Sequence, residues 1–277
     1  MKTILLTGAK GMFGQDAVRI FSERGYKVIP VDIQDFNITD ETSVNNYFEN
    51  INPDFVFHAA AYTNVDLAET EREKAFLINE KGAENLAKIT AEKNIPIVYI
   101  STDYVFDGEK DSAYLPDDKT NPQCVYGKSK LAGELAVQKY NPKHFITRTS
   151  WLYGKNGKNF VDTMINLSKT QPVLKIVDDQ KGCPTWTYDL AEGILDIIEN
   201  KNPYGIYHVC GSNFITWYGF AKKIFELKNI NIEILPVTTK EFPRPAKRPR
   251  NSVMKNNNLC RNWEDSLKKY LENTATF

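Results

Sequence analysis

Residues 3–14 constrain this chain more than any other stretch. Thr3-Ile4-Leu5-Leu6-Thr7 reads as a buried strand and runs directly into Gly8-Ala9-Lys10-Gly11-Met12-Phe13-Gly14, where a helical pattern begins. Glycines three apart at such a junction allow a tight turn, close approach of a pyrophosphate to the backbone, and contact between helix and sheet. The helix N-terminus then offers free N–H groups and a positive dipole end to phosphates. Gly8, Gly11, Met12, Phe13 and Gly14 are therefore read as a dinucleotide turn, although a bare turn would also use glycine. Asp32 strengthens the reading. It closes the second strand eighteen residues past Gly14, where a carboxylate accepts hydrogen bonds from both hydroxyls of an adenosine ribose. The same charge repels a 2′-phosphate and favours NADH over NADPH, with Lys10 partly offsetting it.

Beyond the turn, short aliphatic or β-branched runs alternate with longer amphipathic stretches, the pattern of parallel strands joined by crossover helices. Strands are expected near residues 3–7, 27–31, 54–58, 95–101 and 144–149, and helices at about 12–24, 40–49, 69–93 and 125–139. This is an α/β chain with a doubly wound parallel sheet, its dinucleotide-binding domain over residues 1–150. After Thr149 the rhythm loosens. Helices near 159–169 and 187–200, a strand at 206–209 and a Pro/Arg-rich segment at 243–249 suggest a smaller substrate-binding region over 151–277. Some of its elements are expected to return to the first domain.

Of the 277 residues, 35 are Lys or Arg and 35 are Asp or Glu, so no net charge is available to hold a nucleic acid. The longest apolar runs fall far short of the ~20 residues that span a bilayer. No export signal is read at the N-terminus, so a cytoplasmic protein is expected, as a monomer or homodimer. Cys124, Cys183, Cys210 and Cys260 are scattered, with no C-x-x-C pair, and read as free thiols. His58, His144 and His208 lack ligand spacing and read as structural, so no metal is assigned.

Tyr126 and Lys130 stand four apart at the head of a helical pattern. That spacing puts the phenol and the ammonium on one face, close enough for the cation to favour phenolate, although an aromatic and a lysine also share many surface helices. Ser101-Thr102-Asp103 ends a strong strand at the carboxyl edge where doubly wound sheets place ligands, and supplies a hydroxyl for the same oxygen as Tyr126.

With its Gly-x-x-Gly-x-x-Gly turn, hydroxyl-bearing residue after the fourth strand and Tyr-x-x-x-Lys, the chain resembles the extended short-chain dehydrogenase/reductases. Those signatures are shared by the whole superfamily. More discriminating are Ser101-Thr102-Asp103-Tyr104-Val105-Phe106-Asp107-Gly108, Arg148-Thr149-Ser150-Trp151 and Arg248-Pro249 with Asn251-Ser252. The similarity runs nearly end to end. It implies a nicotinamide-dependent reduction of the C4 keto group of a nucleotide sugar, dTDP-4-dehydro-L-rhamnose. Tyr126 would be the general acid, Lys130 would tune it and hold the nicotinamide ribose, and Thr102 would bind the substrate oxygen. Ala61, Tyr62 and Thr63 would lie beside the cofactor, and Asn37 and Ile38 near its adenine, though Asn37 stands where the family usually has an acid. Asp103 and Trp151 would contact the deoxysugar. Arg148 and Arg248 are candidate diphosphate clamps or structural ion-pair partners. Some relatives dimerise through acidic ligands to magnesium, and Gln15 occupies one of those positions here. Two other readings stay open: a sugar-nucleotide epimerase or dehydratase, and a non-catalytic nucleotide-binding subunit.

Overall fold

Leu5 faces one core and its neighbours Ile4 and Leu6 face another, because successive side chains of a strand point to opposite sides of the sheet. In the computed structural model, which describes residues 1–274, the first half of the chain alternates strand and helix. It runs β1 (Thr3–Thr7), α1 (Met12–Glu23), β2 (Lys27–Val31), α2 (Glu41–Glu49), β3 (Phe55–His58), α3 (Arg72–Phe76), α4 (Gly82–Glu92), β4 (Ile97–Thr102), α5 (Val125–Tyr140) and β5 (His144–Thr149). The second half holds β6 (Leu152–Tyr153), α6 (Phe160–Ser168), β7 (Val173–Val177), β8 (Lys181–Gly182), β9 (Thr185–Trp186) and α7 (Thr187–Glu199). It continues with β10 (Gly205–His208), β11 (Ile215–Thr216), α8 (Trp217–Leu227), β12 (Glu233–Val237) and α9 (Trp263–Thr274).

Six strands form one parallel sheet in the order β10-β5-β4-β3-β1-β2. Helices cover both faces, as a parallel sheet requires. On one side Phe13, Ala17, Ile20 and Phe21 of α1 meet Leu190, Ile194 and Ile197 of α7. On the other, Val44 and Phe48 of α2 pack with Leu86 and Ala87 of α4 and Val137 of α5. Both α7 and β10 come from beyond residue 150 and complete the sheet layer. A third core joins Tyr153, Val161, Phe220, Trp263 and Leu267, beside the parallel pair β7–β12.

One expected element is broken. The single helix expected over 69–93 is a 3-10 turn at Leu67–Glu69, then α3, a π-helical turn at Leu77–Lys81, and α4. Such wide turns insert an extra residue into a helix, commonly at functional sites. Here the wide turn carries Asn79, which is fully buried. The strand β7, its partner β12, and helices α8 and α9 were not anticipated from the sequence.

A buried ion pair ties α5 to the sheet. Arg148 Nε and Nη2 donate to Glu134 at 2.9 and 2.7 Å, and Glu134 Oε1 also accepts from Ser101 Oγ at 2.5 Å. The two side chains are 2% and 1% exposed, so neither charge is relieved by water. Arg148→Met is therefore expected to cost about 3–5 kcal/mol in urea unfolding, because it strands a buried carboxylate. The double variant Arg148→Met/Glu134→Leu should recover most of that loss, and failure to do so would mean the pair acts through more than its charges.

Candidate active site

The sheet order reverses at β1, whose neighbours are β2 on one side and β3 on the other, and a crevice opens at the carboxyl ends of β1 and β3. Gly8 leaves β1 at φ +70°, and a Cβ there would lie 2.6 Å from Ala60 N in the segment after β3. A Cβ on Gly14 would lie 2.2 Å from Gly8 O. Both positions accept only glycine without displacing backbone. The first backbone bond of α1 runs from Gln15 N to Gly11 O at 3.0 Å, which leaves the amides of Met12, Phe13 and Gly14 ahead of the ladder. Among the described residues no side chain caps this end, and its first turn holds no acid. The helix therefore opens on an uncapped, acid-free N-terminus of the kind that receives a phosphate.

A cavity of about 1160 Å³ runs from this turn across the ends of β3, β4 and β5. Gly8, Gly11, Met12, Phe13, Gly14, Asp32, Asn37, Ile38, Ala61, Thr63, Thr102, Asp103, Tyr126, Lys130 and Trp151 all line it. At one end Asp32 accepts from Lys10 N at 3.1 Å and Ile33 N at 2.9 Å, while Lys10 Nζ donates to Gln34 at 2.8 Å. Asn37 turns its amide oxygen onto Thr39 N and Oγ1, at 3.0 and 2.9 Å. Tyr62 is not part of the lining: its side chain is buried and its hydroxyl donates to Glu71 at 3.1 Å. Arg248 also lies off the cavity, forked onto Asp66 at 2.5 and 2.9 Å.

At the other end Thr102 closes β4, while Tyr126 and Lys130 project from successive turns of α5. The start of α5 is fixed by Glu69 Oε1, which accepts from Val125 N at 2.8 Å, and by Cys124 Sγ, which accepts from Gly127 N at 3.4 Å. Thr102 Oγ1 donates to Asp103 Oδ1 at 3.0 Å and hydrogen-bonds Tyr126. Burial pushes the Tyr126 phenol above its ordinary range, and the Thr102 hydrogen bond pulls against it. Burial also lifts the Asp103 carboxyl to about 6, and its Oδ2 is buried without a hydrogen-bond partner among the described residues. Lys130 is brought down to about 7 by burial, with Glu134 opposing. Tyr126, Asp103 and Lys130 are thus each biased toward the neutral form. His58 is brought down to about 3, mainly by burial, and meets Thr7 Oγ1 at 2.9 Å, in keeping with a structural role.

Trp151 forms one wall. Its backbone sits at φ +49°, and its indole stacks on Trp217 with centroids 3.4 Å apart and planes 6° from parallel. A Cβ on Gly182 would come within 2.4 Å of that indole.

Asn79 was missed in the sequence. Its amide accepts from Tyr62 N at 2.8 Å and donates to Tyr62 O at 3.1 Å and Ser129 Oγ at 2.9 Å. It therefore pins the segment after β3 to α5. The one available signal was a polar amide among the apolar neighbours Phe76, Leu77 and Ile78.

A family model described as RmlD substrate binding domain matches residues 1–277. A dTDP-4-dehydrorhamnose reductase of Aggregatibacter actinomycetemcomitans is 39% identical, over 92% of this chain and 90% of that protein. The crystal structure of a dTDP-4-dehydrorhamnose reductase from Clostridium acetobutylicum is 45% identical, with a TM-score of 0.96 over 99% of this chain and 100% of that one. The Bacillus anthracis dTDP-4-dehydrorhamnose reductase, solved in complex with NADP, is 39% identical with a TM-score of 0.95, covering 98% of this chain and 99% of its own.

Removal of the Asn79 side chain should leave the Tyr62 backbone groups and Ser129 short of partners inside the protein. Asn79→Ala is expected to cost about 2–4 kcal/mol by urea unfolding and to speed amide exchange at Tyr62. Unchanged exchange there would show that the segment is held by other contacts.

Proposed function

The chain belongs to the RmlD substrate binding domain family, and on that premise we propose that it reduces the C4 keto group of dTDP-4-dehydro-L-rhamnose to give dTDP-L-rhamnose. The observation that carries this reading is that Thr102, Tyr126, Lys130 and Trp151 line the same cavity as the glycine turn and Asp32. A dinucleotide and a sugar ring then meet in one continuous space. The uncapped start of α1 and the open turn at Gly11 suit a pyrophosphate. Met12 and Phe13 would flank it, Asp32 would hold the adenosine ribose, and Ala61 and Thr63 would border the nicotinamide side. Bound there, the reduced nicotinamide supplies the hydride.

The remaining chemistry falls to side chains. Tyr126, kept protonated by burial, delivers its proton to the C4 oxygen as negative charge develops on it, and the Thr102 hydroxyl turns its one proton from Asp103 to the same atom. Lys130, in its ammonium form, lowers the cost of the phenolate left behind. Since Lys130 titrates at about 7, that assistance is fullest below neutrality and declines as pH rises through it. Asp103 orients Thr102 and offers a carboxyl to a sugar hydroxyl, while the Trp151 indole covers the apolar face of the deoxyhexose. Arg248 would reach the nucleotide diphosphate by sharing or releasing Asp66.

For the cofactor, Asp32 favours NADH, and Lys10 in the turn softens the discrimination against a 2′-phosphate. Asp32→Ala should weaken NADH by about 1.5–3 kcal/mol in a titration and narrow its advantage over NADPH. Unchanged affinity for both cofactors would remove Asp32 from the ribose site.

The function itself is tested by mixing the protein with reduced cofactor and dTDP-4-dehydro-L-rhamnose and following the cofactor's absorbance. Oxidised cofactor should accumulate in step with the product. A sugar-nucleotide epimerase or dehydratase on this frame would regenerate its cofactor and show no net change. Tyr126→Phe should lower turnover by ~10²–10⁴ and leave cofactor binding nearly intact. Near-normal turnover in that variant would move the proton donor elsewhere.

A further inference from the structure

Lys130 is buried, yet among the described residues no carboxylate pairs with its ammonium. Glu134, one turn further along α5, is already engaged: it holds Arg148 through both oxygens and Ser101 through one. What lies against Lys130 Nζ is an aromatic face. The nitrogen sits 4.0 Å from the ring centroid of Tyr99, a fully buried residue of β4. That ring is fixed at both ends, by the β4 ladder at its backbone and by its hydroxyl, which donates to Asn79 O at 3.1 Å and approaches Lys130 O at 3.4 Å. Nothing in the sequence pattern marked Tyr99 as more than a core aromatic.

We propose that Tyr99 is a positioning residue for the catalytic lysine, its ring face seating the Lys130 ammonium beside Tyr126. The assignment rests on the reductase reading only for its effect on turnover. A ring face suits this task better than a carboxylate. Its quadrupole attracts a cation, more strongly where water is excluded, but it carries no net charge. A carboxylate in the same place would cancel the field that favours phenolate at Tyr126. The surrounding groups fit this division. From α5, Tyr126 and Glu134 face the lysine, with Glu134 spent on Arg148 of β5. From β3, His58 lies near, its ring centroid 5.5 Å from that of Tyr99. Burial and Lys130 together keep that imidazole neutral, so it adds no second cation. Asp103, following β4, is held by Thr102.

The test reads the lysine directly, in the full-length protein labelled with ¹³C at the lysine side chains and with the Lys130 resonance assigned by its loss in Lys130→Met. Tyr99→Phe keeps the face and removes the hydroxyl, and should leave the Lys130 titration close to that of the parent. Tyr99→Leu removes the face, and Lys130 should then titrate about one pH unit lower, a tenfold loss of preference for the ammonium. The basic limb of the kcat/KM profile should move with it. If Tyr99→Leu fails to fold, Tyr99→Phe made with ring-trifluorinated phenylalanine preserves packing while draining charge from the face, and carries the same expectation as the leucine. An unshifted titration in a folded variant without the electron-rich face, or an equal shift in Tyr99→Phe, overturns the assignment. A parent protein without reductase turnover would fail the functional reading alone, since the lysine titration is read without substrate.

Discussion

A Cβ at residue 8 would sit 2.6 Å from the amide nitrogen of Ala60, and the shape of the whole cleft follows from the approach that this forbids. The segments leaving β1 and β3 touch backbone to backbone at the point where the sheet changes direction. The start of α1 is thereby held at the floor of the crevice, with its first amides unspent. Everything the cavity can accommodate is measured from that contact: the carboxylate of Asp32 on one side, the Ala61 and Thr63 wall on the other. A larger residue would widen the crevice by moving main chain, which no side-chain adjustment can undo.

At the far end the constraint is electrostatic. Buried charge is tolerated in α5 and β5 because Arg148 and Glu134 satisfy each other and Ser101 completes the carboxylate. That arrangement removes Glu134 from competition for Lys130. Lys130 is then governed by burial and an aromatic face, and burial keeps the neighbouring Tyr126 phenol protonated. A buried ion-pair partner and two cavity-lining groups thus share one helix, on successive turns.

Much of this was legible in the sequence because it depended on short-range patterns. The glycine spacing, the Tyr126–Lys130 interval and the strand ending at Thr102 encode local geometry, and all three line the cavity that the structure contains. The strands β1, β2 and β5 fall at the expected limits; β1 is a nearly continuous apolar run because it is buried on both faces. What escaped depends on contacts distant in sequence. The π turn around Asn79 exists to meet Tyr62 and Ser129, which lie 17 and 50 residues away. The pairing of Arg248 with Asp66 spans 182 residues. The strand β12 is exposed or half-exposed at every position, and its pairing with β7 joins segments about 60 residues apart, so neither local pattern announces the pair.

The indole of Trp151 and the missing side chain of Gly182 occupy the same space. A Cβ on Gly182 would fall 2.4 Å from the ring, and the same ring stacks on Trp217. With the indole stacked on one neighbour and closely approached by the other, neither position is free to drift by itself. Any side chain at 182 forces the tryptophan off its partner, and a smaller residue at 151 leaves a gap that an alanine at 182 would help to fill. The two sites are coupled and their substitutions should be non-additive.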